Sequence, residues 1–440
     1  MPKLPNPVIV VPGIIATYLR DEYTLPPESV WEVLESSKQF ERASLHPDNL
    51  RLEAIEPARV APGQIYEIAY RELVEELRHN LRQRPDQPVP VFPFGYDWRQ
   101  PLEDTCDQLG QFIDEVIART QLLRHYDADD DFKNDPRVNL VGHSMGGLIV
   151  AGHLAKVGKN HKIGSIVSLA TPFRGSYESV IKVTTGTANL GTSAPSSRER
   201  EAARVTPALY YLLPDFDGAL TVPSNSGLPP DLFDASVWQA SVTDTIAQYV
   251  QLRGLNPKNA KQQAANILAR MLKSAKSFRN KTNGLDLGKC GLSPDDWLCV
   301  IGVDSTTRVR LSVQVTAGKP DFSFSSSDRQ NGWGNPDKTT AEMTGDGTVP
   351  FHGALPEFLP LEKLVCVSPD DFGYWEIQDK VVTSVAGFHG ILPNMNMLHR
   401  LIVKFFTNRK DAHGNIWGRR APGVAVNQWS PPITGLTDKT

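Results

Sequence analysis

The residues best placed to do chemistry are Gly142, His143, Ser144, Met145, Gly146 and Gly147. The apolar run Val-Asn-Leu-Val at 138–141 comes directly before them, and the helical run from Leu148 to Val157 directly after. Strand, sharp turn and helix in that order set a serine on a strained backbone. Small residues two before and two after it keep strand and helix from colliding. The turn exposes Oγ at a sheet edge, and the helix N-terminus aims its partial positive charge at an oxyanion forming there. Ser144 is therefore the expected nucleophile of an acyl transfer, and the Met145 N–H one of two oxyanion donors.

The remaining parts of such a site follow from what the reaction needs. A second N–H donor belongs after an early strand. Val11, Pro12, Gly13, Ile14 and Ile15 end the first apolar run, and Gly13 lets the backbone come close to a substrate, which assigns the donor to Ile14. The acid and base lie downstream of the serine, in the order serine, acid, histidine. In Gly345-Asp346-Gly347-Thr348-Val349-Pro350 an aspartate sits between glycines, on a loop that can turn a carboxylate inward to orient an imidazole. Four histidines lie downstream of Asp346: His352, His389, His399 and His413. His352 is crowded against Asp346 in sequence, and His399 falls within a helical run as a surface or packing residue. His389, in Gly387-Phe388-His389-Gly390 just before the run Asn394–Phe406, is the expected base.

Elements that could hold these residues recur along the chain. Short apolar runs at Val8–Val11, Val89–Phe92, Val138–Val141, Ile166–Leu169, Leu298–Val303 and Leu364–Val367 read as buried strands. Between them, Leu109, Phe112, Ile113, Val116 and Ile117 follow amphipathic helical spacing within 105–125, and 145–157 forms another helix. Strands alternating with helices define the α/β class, and with the serine turn they predict the α/β-hydrolase fold: a mostly parallel central sheet, helices on both faces, and a large inserted cap. The core is expected at 1–171 and 341–408. Gly, Ser, Thr and Pro clusters around 184–197 and 222–230, with a basic helix-prone run at 255–285, mark 172–340 as the cap or lid. Residues 409–440 form a Pro- and Gly-rich tail without a clear pattern.

Composition excludes several classes. A formal net charge of −4 and 40% hydrophobic residues describe a globular chain with no basic field for nucleic acid. Pro5, Pro7 and Pro12 interrupt any signal-peptide core, so the default address is the cytoplasm, with export by a signal-independent route left open. No apolar stretch approaches the roughly 20 residues of a membrane helix, which leaves at most transient contact with a membrane surface. Cys106, Cys290, Cys299 and Cys366 have neither metal nor disulfide spacing. The acidic run Asp127–Asp131 is not a calcium loop, because Phe132 stands where glycine is needed and Val138 where glutamate is. The chemistry needs no metal or organic cofactor.

In chain order, these segments resemble the lecithin:cholesterol acyltransferase and phospholipid:diacylglycerol acyltransferase family of lipases. The likeness is carried by Pro-Val-Ile-Val-Val-Pro-Gly at 7–13, Tyr96-Asp97-Trp98-Arg99, the Ser144 turn, and Leu169-Ala170-Thr171-Pro172-Phe173. It continues through 198–214, which ends in Leu-Leu-Pro, to Gly-Asp-Gly-Thr-Val-Pro and the histidine before a helix. The resemblance implies a lipase or esterase acting on a lipid acyl ester, with Trp98, His143 and Phe173 near the substrate. Asp97 and Arg99 can instead pair to hold a loop while Trp98 packs. Acyl transfer to a lipid hydroxyl uses the same triad, and a serine amidase or peptidase and a silent hydrolase-fold binding protein remain as alternatives.

Overall fold

A computed structural model describes residues 4–32, 40–55, 57–186, 197–373, 376, 387–409 and 416–440. Its centre is a six-stranded sheet of β1 (Val8–Val11), β2 (Val91–Pro93), β3 (Val138–His143), β4 (Ile163–Leu169), β5 (Trp297–Gly302) and β6 (Val365–Val367). The order across the sheet is β6-β5-β4-β3-β1-β2, and every neighbouring pair is parallel. These are the six apolar runs read from the sequence, shifted by at most a few residues at their ends. They were legible because a parallel strand is covered on both faces, so apolar residues run on without alternation.

The two faces nonetheless build separate cores. Ile9 and Val11 point to one, Val8 and Val10 to the other, the period of two that a strand imposes. Helices α1 (Glu67–Asn80) and, at the far end of the chain, α7 (Asn396–Thr407) cover the Val8 face. The Ile9 face carries α2 (Leu102–Gln121), α3 (Met145–Val157) and α6 (Ala260–Asn283). Helix α3 is apolar all round because it lies between the sheet and these neighbours. At Gly152 a Cβ would stand 2.4 Å from Phe278 of α6, so the glycine sets how closely α3 and α6 approach.

The range 172–340 contains α4 (Tyr177–Thr185), α5 (Ala240–Arg253) and α6, and also the core strand β5. The range expected as a cap therefore includes a piece of the central sheet. Much of the Gly- and Ser-rich stretch at 184–197 lies outside the described residues. The tail has a role that its composition hid: Arg419 exchanges backbone hydrogen bonds of 2.8 and 2.9 Å with Cys366, and Trp429 Nε1–H donates to Leu364 O at 2.8 Å. It thus covers the β6 edge, which would otherwise present unpaired backbone groups. The acidic run serves a helix: Asp129 Oδ1 accepts from the Asp131 N–H at 3.0 Å as the cap of the turn Asp130–Asn134. All four cysteines are buried free thiols. Among the described residues, no helix is long and apolar enough to cross a membrane.

Candidate active site

Ser144 sits between the end of β3 and the start of α3 with φ 53° and ψ −127°. A non-glycine residue there costs of order 1–3 kcal/mol, which the surrounding packing must overcome. The glycines around it explain how the turn closes. A Cβ on Gly142 would lie 2.8 Å from Gly147 Cα, and one on Gly146 only 2.1 Å from the Val11 carbonyl oxygen. Strand, helix and first-strand turn can meet only if both positions lack side chains. The Ser144 N–H donates to Leu169 O at 2.9 Å, tying the turn to β4.

The structure brings Ser144, His389 and Asp346 together from three distant parts of the chain. His389 Nε2 is 2.9 Å from Ser144 Oγ, and His389 Nδ1 is 2.7 Å from Asp346 Oδ2. A carboxylate can only accept, so Nδ1 carries the proton and Nε2 is left to accept from the serine hydroxyl. Asp346 is fully buried, and its Oδ1 accepts from the Thr348 and Val349 N–H groups at 2.9 and 2.7 Å. These bonds hold the acid so that Oδ2 faces the imidazole. The His389 N–H also donates to Asp346 O at 3.2 Å, joining the two loops by backbone. Gly302, at the end of β5, makes room for the acid: a Cβ there would stand 2.6 Å from Asp346 Cβ. Nothing in the local pattern around Gly302 pointed to this role.

The two expected oxyanion donors, Met145 and Ile14, lie on the two turns that meet at Ser144. Met145 opens α3, so its N–H has no preceding turn to bond. Ile14 follows Gly13, whose absent Cβ would be 3.4 Å from Ser144 Oγ. The arrangement can take a proton from Ser144, hold the resulting imidazolium, and receive negative charge on a carbonyl oxygen beside two N–H groups.

The three residues expected near the substrate are all buried. His143 is buried, with Nδ1 2.6 Å from Tyr70 Oη and Nε2 3.0 Å from the His389 carbonyl oxygen. Both ring nitrogens are therefore taken, and burial holds its pKa well below the usual histidine range. Trp98 packs edge-on against Trp31, with ring centroids 4.9 Å apart, and Phe173 is enclosed by Trp297 and Phe358 at 6.1 and 5.4 Å. Neighbouring rings pack on both side chains, and both are buried. Arg99 binds Asp97 through Nε and Nη2, each at 2.8 Å, and Glu53 through Nη1 at 2.9 Å, the loop-holding role. Tyr70, on α1, is the site residue that sequence reading missed. Ala69, Tyr70, Leu73, Val74 and Leu77 mark the buried face of that helix, but only the fold brings Tyr70 to the serine turn.

His352 lies away from the triad, 3.7 Å from Glu342, and His399 is buried in α7. Two of the family-like segments meet at Gly175, which follows Phe173: a Cβ there would lie 2.4 Å from Leu213 O, and the Ser176 N–H donates to Leu212 O at 2.8 Å.

A six-stranded parallel sheet, helices on both faces and a serine at a strand-to-helix turn make this an α/β-hydrolase fold. The chain belongs to the lecithin:cholesterol acyltransferase family, whose sequence pattern matches residues 52–283. That membership supports a lipid ester hydrolase or acyltransferase. A comparison with curated proteins finds no match. Among solved structures, a chain of the Tle4–Tli4 complex is similar over 92% of this chain and 98% of its own, at 15% identity and a TM-score of 0.60. The phospholipase PlaB from Legionella pneumophila is 14% identical over 53% of this chain and 41% of its own, at a TM-score of 0.23. The first likeness bears on the fold alone, and the second is too slight to bear on it.

Proposed function

We propose that this protein is a serine hydrolase of lipid acyl esters, with Ser144 as nucleophile, His389 as general base and Asp346 as the acid that orients it. The reading rests on one observation: Ser144 Oγ, His389 and buried Asp346 lie in hydrogen-bond sequence at 2.9 and 2.7 Å. His389 Nε2 takes the hydroxyl proton, and the alkoxide attacks the ester carbonyl. The N–H groups of Met145 and Ile14 stabilise the tetrahedral oxyanion, each contributing about 3 kcal/mol. His389 returns the proton to the leaving alcohol, which leaves an acyl group on Ser144. Water activated by the same imidazole then releases the fatty acid.

A second reading has one specific support, the family pattern, which is named for acyl transfer. If a lipid or sterol hydroxyl takes the place of water, the same acyl-serine passes its acyl group to that acceptor. Either reaction brings the protein into transient contact with a lipid surface.

The test is labelling with a fluorophosphonate probe, followed by hydrolysis of p-nitrophenyl esters of graded chain length, for wild type, Ser144→Ala and Asp346→Asn. Labelling is expected in the wild type and absent in Ser144→Ala. Turnover should rise toward long chains, and Asp346→Asn should lower kcat by about 10⁴-fold because the imidazole loses its tautomer control. Full activity in Ser144→Ala would refute the assignment. Adding a lipid alcohol and following ester formation against fatty acid release separates transfer from hydrolysis.

A further inference from the structure

Two buried side chains stand beside the triad without belonging to it. Tyr70 is 1% exposed on α1, and His143 is 3% exposed at the end of β3. Tyr70 Oη is 2.9 Å from the Gly13 nitrogen and 2.6 Å from His143 Nδ1, while His143 Nε2 is 3.0 Å from the His389 carbonyl oxygen.

The proton positions follow from which groups can only donate and which can only accept. The Gly13 N–H donates, so Tyr70 Oη accepts there. The His389 carbonyl accepts, so His143 carries its proton on Nε2. Its Nδ1 is then a bare lone pair, and the Tyr70 O–H donates to it. Both groups are neutral: burial holds His143 well below the usual histidine range and Tyr70 well above the usual phenol range.

The same peptide is gripped from its other side. Tyr96 Oη–H donates to the Pro12 carbonyl oxygen at 2.8 Å. The plane between Pro12 and Gly13 is thus held at its oxygen by Tyr96 and at its nitrogen by Tyr70. The next carbonyl, Gly13 O, accepts from the Ala16 N–H at 3.4 Å. In a trans peptide N–H and C=O point opposite ways, so this turns the Ile14 N–H away from Ala16.

We infer that Tyr70 and His143 are positioning residues, a bridge that sets the turn carrying the Ile14 donor in register with the backbone of His389. The inference rests on the site reading proposed above. Neither residue touches the reacting atoms. Tyr70 acts through Gly13, His143 through the His389 carbonyl, and the 5.0 Å separation of the two imidazole centroids makes their placement mutually dependent. A site whose donors and base are already aligned spends no binding energy on arranging them, and displacements near 1 Å cost up to about 100-fold in rate.

The test compares Tyr70→Phe, His143→Gln and His143→Leu with wild type, by ester kinetics and by NMR of nitrogen-labelled histidine. Phenylalanine keeps the ring and removes only the hydroxyl, so kcat should fall about 10- to 100-fold with KM within about twofold. His143→Gln, which keeps one acceptor and one donor, should retain more of kcat than His143→Leu. The NMR spectrum should show a neutral His143 with its proton on Nε2, and the Nδ1 resonance should move in Tyr70→Phe. Wild-type kcat in Tyr70→Phe, or a proton on Nδ1, overturns the bridge. If the wild type shows no turnover that depends on Ser144, the reading of the site fails, and the His143 resonances still decide the bridge.

Discussion

A methyl group placed on Gly13 would stand 3.0 Å from Ser144 Cβ and 3.4 Å from Ser144 Oγ. The turn after the first strand therefore closes directly over Ser144, and the absence of one side chain allows it. Gly13 is not at a positive φ, so alanine meets no backbone strain there and the effect of substitution is one of space alone.

Gly13→Ala should consequently lower kcat by about 10- to 100-fold, because the turn must retreat by a few tenths of an ångström and carries the Ile14 donor with it. Steady-state ester hydrolysis beside a thermal melt checks this, with the melt expected to move only slightly. An unchanged kcat would mean that the turn has slack and that the second donor lies elsewhere.

Acid sensitivity has an identifiable source in α7. His399 Nε2 lies 2.7 Å from the Pro393 carbonyl oxygen, and burial pushes its pKa down from 6.5 to about 4, against the smaller upward effect of that hydrogen bond. Between those two values the unfolded chain binds a proton that the folded chain does not. Stability from this group is complete above about pH 6.5, falls as the pH drops, and is lower by about 3 kcal/mol once the pH passes below about 4. Urea unfolding across that range should show a flatter profile for His399→Gln than for wild type. Parallel profiles would contradict the assignment.

Arg99 should be a stability residue. Its side chain is 0% exposed and holds Glu53 and Asp97, which are 12% and 14% exposed. Burial alone would raise both carboxyls. The guanidinium outweighs that effect at Asp97, which stays below its ordinary value, and falls short of it at Glu53, which stays above. Arg99→Met leaves two shielded carboxylates facing each other and should cost about 3–5 kcal/mol in urea unfolding. Adding Glu53→Gln should recover part of that loss, since the two sites share one network. A cost below about 1 kcal/mol would show that the triad of charges is idle.

Much of the fold was legible in the sequence for a simple reason. The six central strands are buried on both faces, so each reads as a short, mostly apolar run without polar alternation. The Ser144 turn announced itself through glycines two residues to either side, which the crowding at Gly142 and Gly146 explains. Other features left weaker traces. The tail from 416 to 440 joins the sheet edge through backbone bonds, which any side chains can accompany. Gly302 and Tyr70 lie in segments whose local pattern speaks only of strand and helix.

The same division separates what each level determined. Residue types and their order along the chain pointed to the proposed chemistry, because a nucleophile, an acid and a base each need a particular functional group on a particular kind of turn. Tertiary structure decided which side chains those groups would meet. His143, expected near the substrate, joins Tyr70 to the His389 backbone, across separations of 73 and 246 residues. Such contacts arise where α1, β3 and the histidine loop pack together. Hydrogen bonds between them depend on distances of a few tenths of an ångström, which local sequence patterns do not encode.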